Sequence, residues 1–150
     1  MSRHGYSEGE CWDTESFLRA MNWNGVVASA SRGKRGQAFF RALVAALDAM
    51  PGKRLVAGEL EDGEGSVCAL GCLGKAKGVD VKSVDSEDWP KLGQLFDIAP
   101  QLAQETMYRN DEGDDFGDSR RTPEERWAYV RRWAAHQIEV TPDELIEAKP

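Results

Sequence analysis

The sequence predicts an α+β fold: a single, mostly helical domain with one small antiparallel hairpin packed against the helices. Three observations carry that prediction. Apolar residues recur at helical spacing over 39–50, capping signatures stand at Thr122 and Thr141, and a turn-rich stretch between two short apolar runs reads as a hairpin. With 150 residues, 41% of them apolar, the chain can form one core without disulfides or a structural metal. The domain is read over 1–150, with 1–12 and 140–150 as peripheral extensions.

Asp13 or Thr14 can cap a first helix, with Glu15 in its first turn at the positive end of the dipole. Phe17, Leu18, Met21, Val26, Val27 and Ala30 are only loosely periodic there, and Asn22, Asn24 and Gly25 can interrupt it. The second helix is clearer. Phe39, Leu43, Ala46, Leu47 and Met50 form a stripe widened by Phe40 and Val44, and Pro51-Gly52 ends it. Leu55 to Leu60, the turn Glu61-Asp62-Gly63-Glu64-Gly65 and Ser66-Val67-Cys68 then suggest the hairpin. A short glycine-rich helix from Ala69 to a cap at Gly78 follows, then helical pieces around Trp89 to Phe96 and from Pro100 to about Tyr108. Asn110 to Asp118 reads as a loop. Thr122-Pro123-Glu124-Glu125 and Thr141-Pro142-Asp143-Glu144 start the last two helices. In the longer one, Trp127, Val130, Ala134 and Ile138 form the buried stripe, while Arg126, Arg131 and Arg132 mostly face water.

Charge is distributed unevenly. Residues 1–54 hold eight basic groups and five acids, residues 55–118 five basic groups and fifteen acids, and residues 119–150 six of each. The net charge of −7 therefore sits in the middle of the sequence. No apolar run approaches the ~20 residues of a membrane helix, and the first ten residues lack a secretory signal, which predicts a cytoplasmic protein with no membrane partner. Cys11, Cys68 and Cys72 cannot all pair within one chain and are read as thiols.

Several clusters can carry chemistry. Asp111, Glu112, Asp114, Asp115 and Asp118 line one loop, and Glu59, Glu61, Asp62 and Glu64 the hairpin turn. Together they can present carboxylates at phosphate-like spacing to a basic groove, or serve solubility alone. An EF-hand reading of 110–118 fails on register, because Gly113 or Phe116 falls where a donor must stand. Arg32, Lys34, Arg35 and Arg41 surround a glycine-flanked basic turn that can hold a nucleic-acid backbone, though it lacks the P-loop pattern and the overall charge opposes polyanions. Cys68 and Cys72 stand four apart without the usual C-x-x-C spacing of zinc sites. With two histidines and no hydrolase or dinucleotide fingerprint, catalysis has little support, and neither cofactor nor metal is expected. The acidity of 92–108 argues against a recognition helix. Among five tryptophans, Trp12 stands between acids as a candidate partner anchor.

The blocks RGKRGQAFFRALVAALDAMPGKRL, GSVCALGCLGKAKG and YRNDEGDDFGDSRRTPEERWAYVRRW resemble short uncharacterised proteins of phages and prophages of Gram-negative bacteria, from about Trp23 to Ile138. The resemblance implies a small accessory phage protein, a class that includes inhibitors of host defence such as anti-CRISPR proteins. The reading that follows is a non-catalytic acidic protein that occupies a basic nucleic-acid groove on a host or defence complex. An accessory nucleic-acid binder using the basic turn is the alternative, and a small metal- or carboxylate-dependent enzyme the third. The oligomeric state is left open.

Overall fold

The computed structural model describes residues 14–113, 121–140 and 144. Among them lie six helices: α1 (Thr14–Arg32), α2 (Lys34–Ala49), α3 (Ala69–Ala76), α4 (Trp89–Phe96), α5 (Pro100–Asp111) and α6 (Pro123–Gln137). The helix expected after Thr141 falls outside the described residues.

α1 runs unbroken through Asn22, Asn24 and Gly25. Tertiary contacts offset the weak helix propensity there. Trp23 donates its indole N–H to Glu105 on α5 at 3.2 Å, and Val27 and Ala30 pack against the core. One extended residue, Gly33, separates α1 from α2. A Cβ at Gly36 would run into the Ala30 carbonyl, so glycine lets the first turn of α2 lie on the end of α1.

α2 is the central element, with Phe39, Phe40, Leu43 and Leu47 at most 2% exposed. It ends where Met50 turns extended, the conformation a residue before proline prefers. α2 lies against α1, α3 and α6, while α5 packs on α1, α3, α4 and α6. Leu70 and Leu73 of α3, Leu92 and Phe96 of α4, Leu102 and Met107 of α5, and Val130 and Ala134 of α6 complete one continuous core. A polar seam runs along its edge. Arg109 donates to Glu105 at 3.2 Å and to the Tyr129 hydroxyl at 2.9 Å, and that hydroxyl donates to the Gly113 carbonyl at 2.8 Å.

The expected hairpin is not formed, and the described fold is all-helical rather than α+β. Among the described residues there is no strand; between α2 and α3 stands a loop with one isolated bridge, Glu61 to Val67. Asp62 closes the turn: its carboxylate accepts the amides of Glu64 and Ser66 at 2.9 Å each, and its own amide donates to the Ser66 carbonyl. The pairing stops there because the second arm has no residues left to extend it: Cys68 already caps α3, which begins at Ala69. The backbone groups of the two arms are satisfied one by one: Leu55 N–H on the Pro123 carbonyl at 3.1 Å, Val56 on Val67 at 2.9 Å, Cys68 on Leu60 at 3.2 Å. Leu55, Leu60 and Val67 are all buried, so the apolar signal belongs to a core-facing loop.

α6 brings a second correction. Arg126, expected in water, is 7% exposed; it donates to the carbonyls of Leu55 at 3.1 Å and Arg121 at 3.3 Å, while its Nε has no partner among the described residues. The guanidinium anchors the loop after α2 to the start of α6. At that start Thr122 caps as the sequence predicts, accepting the Glu125 amide at 3.2 Å.

Candidate partner-binding face

The acids singled out from the sequence divide into two kinds. Asp111 is half-buried and structural, because it accepts the Gly58 amide at 3.0 Å and the Asn110 side-chain amide at 2.9 Å. Glu112 is half-buried at the C-terminal cap of α5. Asp114, Asp115 and Asp118 lie outside the described residues, as does Trp12. Glu61 is also internal: its side chain is 7% exposed and pairs with Lys75 at 2.9 Å. Glu59 and Glu64 are exposed and Asp62 half-exposed.

The fold adds carboxylates that sequence reasoning did not select. Gly58, in the left-handed region at φ +82°, accepts the Ser86 hydroxyl on its carbonyl at 3.3 Å. That bond ties the loop before α3 to the loop after it, and sets Glu59 beside the stretch that carries Asp85 and Glu87. Asp80, Asp85, Glu87 and Asp88 are all exposed. Local hydrogen bonds hold several of them in place. Asp80 accepts the Lys82 amide at 3.0 Å, Asp85 the Glu87 amide at 2.9 Å, and Asp88 caps α4 on the Lys91 amide at 3.3 Å. The available signal was the run Asp80-x-x-x-x-Asp85-x-Glu87-Asp88, but only the Gly58–Ser86 contact reveals that it adjoins Glu59.

Ion pairs are denser on the remaining described surface, where Glu125 and Glu139 are the exposed acids without one. Glu15 pairs with Arg19, Asp48 with Arg131, Asp97 with Arg35, Glu105 with Arg109, Glu124 with Arg54 and Glu144 with Arg41. Glu59, Asp62, Glu64, Asp80, Asp85, Glu87 and Asp88 make no ion pair among the described residues. Residues 59–88 hold eight carboxylates against three lysines, a balance of −5. Such a patch attracts cations through solvent and weakens with salt.

The basic turn is dispersed by comparison. Arg35 is held by Asp97 at 3.1 Å, and Arg41 by Glu144 at 2.9 Å and the Glu139 carbonyl at 3.0 Å. Only Arg32 and Lys34 of the four stand exposed with no ion pair among the described residues.

A pocket of about 680 Å³ lies between the end of α2, α3 and the start of α6, floored by Ala46, Met50, Val56, Val67 and Cys72. Its two cations are engaged, Arg54 with Glu124 and Lys75 with Glu61. Burial pushes the Cys72 thiol up to about 11 and Cys68 up to about 12, so both are neutral and unreactive near pH 7. Both are free and buried, and the Cys68 sulfur caps α3 by accepting the Gly71 amide at 3.4 Å. Among the described residues no three His, Cys, Asp or Glu side chains gather as a metal site, and no helix is long and apolar enough to cross a membrane.

The chain matches no protein-family model, no curated protein and no solved structure.

Proposed function

We propose that the protein is a non-catalytic, phage-type inhibitor whose carboxylate face occupies a basic nucleic-acid groove on a host or defence complex in the bacterial cytoplasm. The observation that carries this reading is the set of seven carboxylates that make no ion pair among the described residues, on two loops tied at Gly58 and Ser86. A groove built for phosphates presents Lys and Arg at close intervals, and turn-fixed Asp and Glu side chains offer the complementary charge at little further ordering cost. The resemblance of three sequence blocks to short phage proteins supports the host context. The pocket beside Cys72 offers neutral thiols and cations already paired, a poor setting for general acid–base or nucleophilic work.

Electrophoretic mobility shift with random-sequence DNA and RNA tests the reading against its rival. An acidic mimic leaves both nucleic acids unshifted at low salt. A salt-sensitive shift lost in an Arg32→Ala/Lys34→Ala variant would overturn it in favour of nucleic-acid binding through the basic turn.

A further inference from the structure

The pocket beside Cys72, at about 680 Å³, has the volume of a small-molecule site. Its floor of Ala46, Met50, Val56, Val67 and Cys72 carries no charged group. Two cations join the lining, Lys75 from α3 and Arg54 from the loop after α2. Their carboxylate partners, Glu61 and Glu124, stand outside that lining, so the pocket meets the cations and not the acids that hold them. Both cations keep spare donors. Lys75 spends two ammonium protons, on the Gly65 carbonyl at 2.8 Å and on Glu61 at 2.9 Å, and has a third. Arg54 meets Glu124 through Nε at 3.0 Å, which leaves its terminal nitrogens without a partner among the described residues. Both side chains of that pair are more than half exposed, so it is weak and a second carboxylate can share the guanidinium. The floor senses the same sign of charge: the largest charge effects on the Cys72 thiol come from Lys53 and Lys75. Glu64, the acid among the described lining residues, is exposed to solvent.

We propose that this pocket binds a small apolar molecule ending in one carboxylate, of the alkanoate or arylalkanoate class. The apolar body covers the uncharged floor, and the carboxylate meets the terminal nitrogens of Arg54, whose planar fork suits it. Lys75 adds to the attraction from the α3 side. A ligand rich in hydroxyls or phosphates would leave polar groups unsatisfied against Ala46, Val56 and Val67, which argues against sugars and nucleotides. An alkylammonium of the same shape would bring its charge to two cations. Such binding does not require the inhibitor reading to hold.

Isothermal calorimetry of the full chain with octanoate, octanol and octylammonium, each below its micelle concentration, tests the site. Octanoate should bind one to one and about tenfold or more tightly than octanol, the effect of one charge-assisted hydrogen bond, with octylammonium weakest. Arg54→Gln, at a side chain 66% exposed, should bring octanoate down to the level of octanol. Ala49→Trp and Ala76→Trp, at exposed lining positions on the ends of α2 and α3, should each weaken octanoate and octanol alike, with the helical circular dichroism unchanged. Bound octanoate should also slow the labelling of Cys72 by a small thiol reagent, with the label located by peptide mass spectrometry. The absence of saturable octanoate binding overturns the proposal. Equal affinity for octanoate and octylammonium overturns the carboxylate assignment, as does an Arg54→Gln chain that still prefers octanoate to octanol. Binding that survives both tryptophan variants and leaves Cys72 labelling unchanged lies elsewhere on the chain, and so refutes the pocket.

Discussion

The Gly58 amide donates to the Asp111 carboxylate at 3.0 Å, a contact that fastens the loop before α3 to the end of α5. Asp111 is therefore a structural acceptor, and its removal leaves the Gly58 N–H without its acceptor and loosens the loop that carries Glu59. Asp111→Ala is expected to destabilise the protein by about 1–2 kcal/mol, and Asp111→Asn, which keeps an acceptor oxygen, by less. Glu59→Gln and Glu87→Gln should stay within about 0.5 kcal/mol of the parent. Urea denaturation followed by tryptophan fluorescence distinguishes the two classes.

Glycine positions on α3 and α1 should respond in opposite ways. A Cβ at Gly71 would run into the Leu60 carbonyl and come within 3.1 Å of the Val67 side chain, so α3 can approach the preceding loop only without one. Gly71→Ala should cost about 2 kcal/mol or more through forced displacement. Gly25→Ala meets open space in a helix interior and should stabilise the protein by about 0.5–1 kcal/mol. Thermal melts of the two variants check both signs.

The Glu105–Arg109 pair lies on the seam between α5 and α6, its side chains 4% and 19% exposed. Removing the carboxylate strands a mostly buried guanidinium and frees the Trp23 indole N–H. Glu105→Ala is expected to cost about 3 kcal/mol, more than any single acid on the exposed face, and to shift the emission of Trp23. An unchanged denaturation midpoint would show that water replaces the pair without loss.

The two buried thiols give the fold an alkaline limit. Both are raised in the folded state above the ordinary value of 9.0, to about 11 at Cys72 and about 12 at Cys68. The folded chain thus holds these protons more tightly than the unfolded chain does. Their contribution is complete below pH 9 and is lost as pH climbs through 11 to 12. Stability measured between pH 8 and 12 should fall along that window, and a Cys68→Ala/Cys72→Ala double variant should fall less steeply. At neutral pH a thiol reagent should label Cys72 far more slowly in the native state than in urea.

Helix positions were legible wherever a local rule decides them. The stripe from Phe39 to Met50 and its stop at Pro51, the glycine cap at Gly78, and the Thr122 cap with Pro123 behind it all describe interactions within a few residues. What the sequence left open depends on contacts far apart in the chain. Leu55, Leu60 and Val67 satisfy a strand pattern and a buried loop equally well; the start of α3 at Ala69 and the bond from Leu55 to Pro123 choose the loop. Arg126 looks solvent-facing until the Leu55 carbonyl arrives beside it. The acidic character of the middle segment was plain from composition, yet Asp111 and Glu61 turn inward while Asp85 and Glu87 come beside Glu59. Charge counts identify a segment, and only the hydrogen bonds sort its carboxylates into internal and external ones.

The carboxylate face is tested most directly by phage plating on a panel of bacterial hosts, each carrying a nucleic-acid-guided defence system and expressing either the parent chain or a variant. The variant combines Glu59→Gln, Glu64→Gln, Asp85→Asn and Glu87→Gln, four exposed positions outside the core. The parent should restore plating on at least one defended host, and the variant, equally abundant and folded, should fail there. Equal protection by the two chains, or protection by neither on any host, would contradict inhibition through this face.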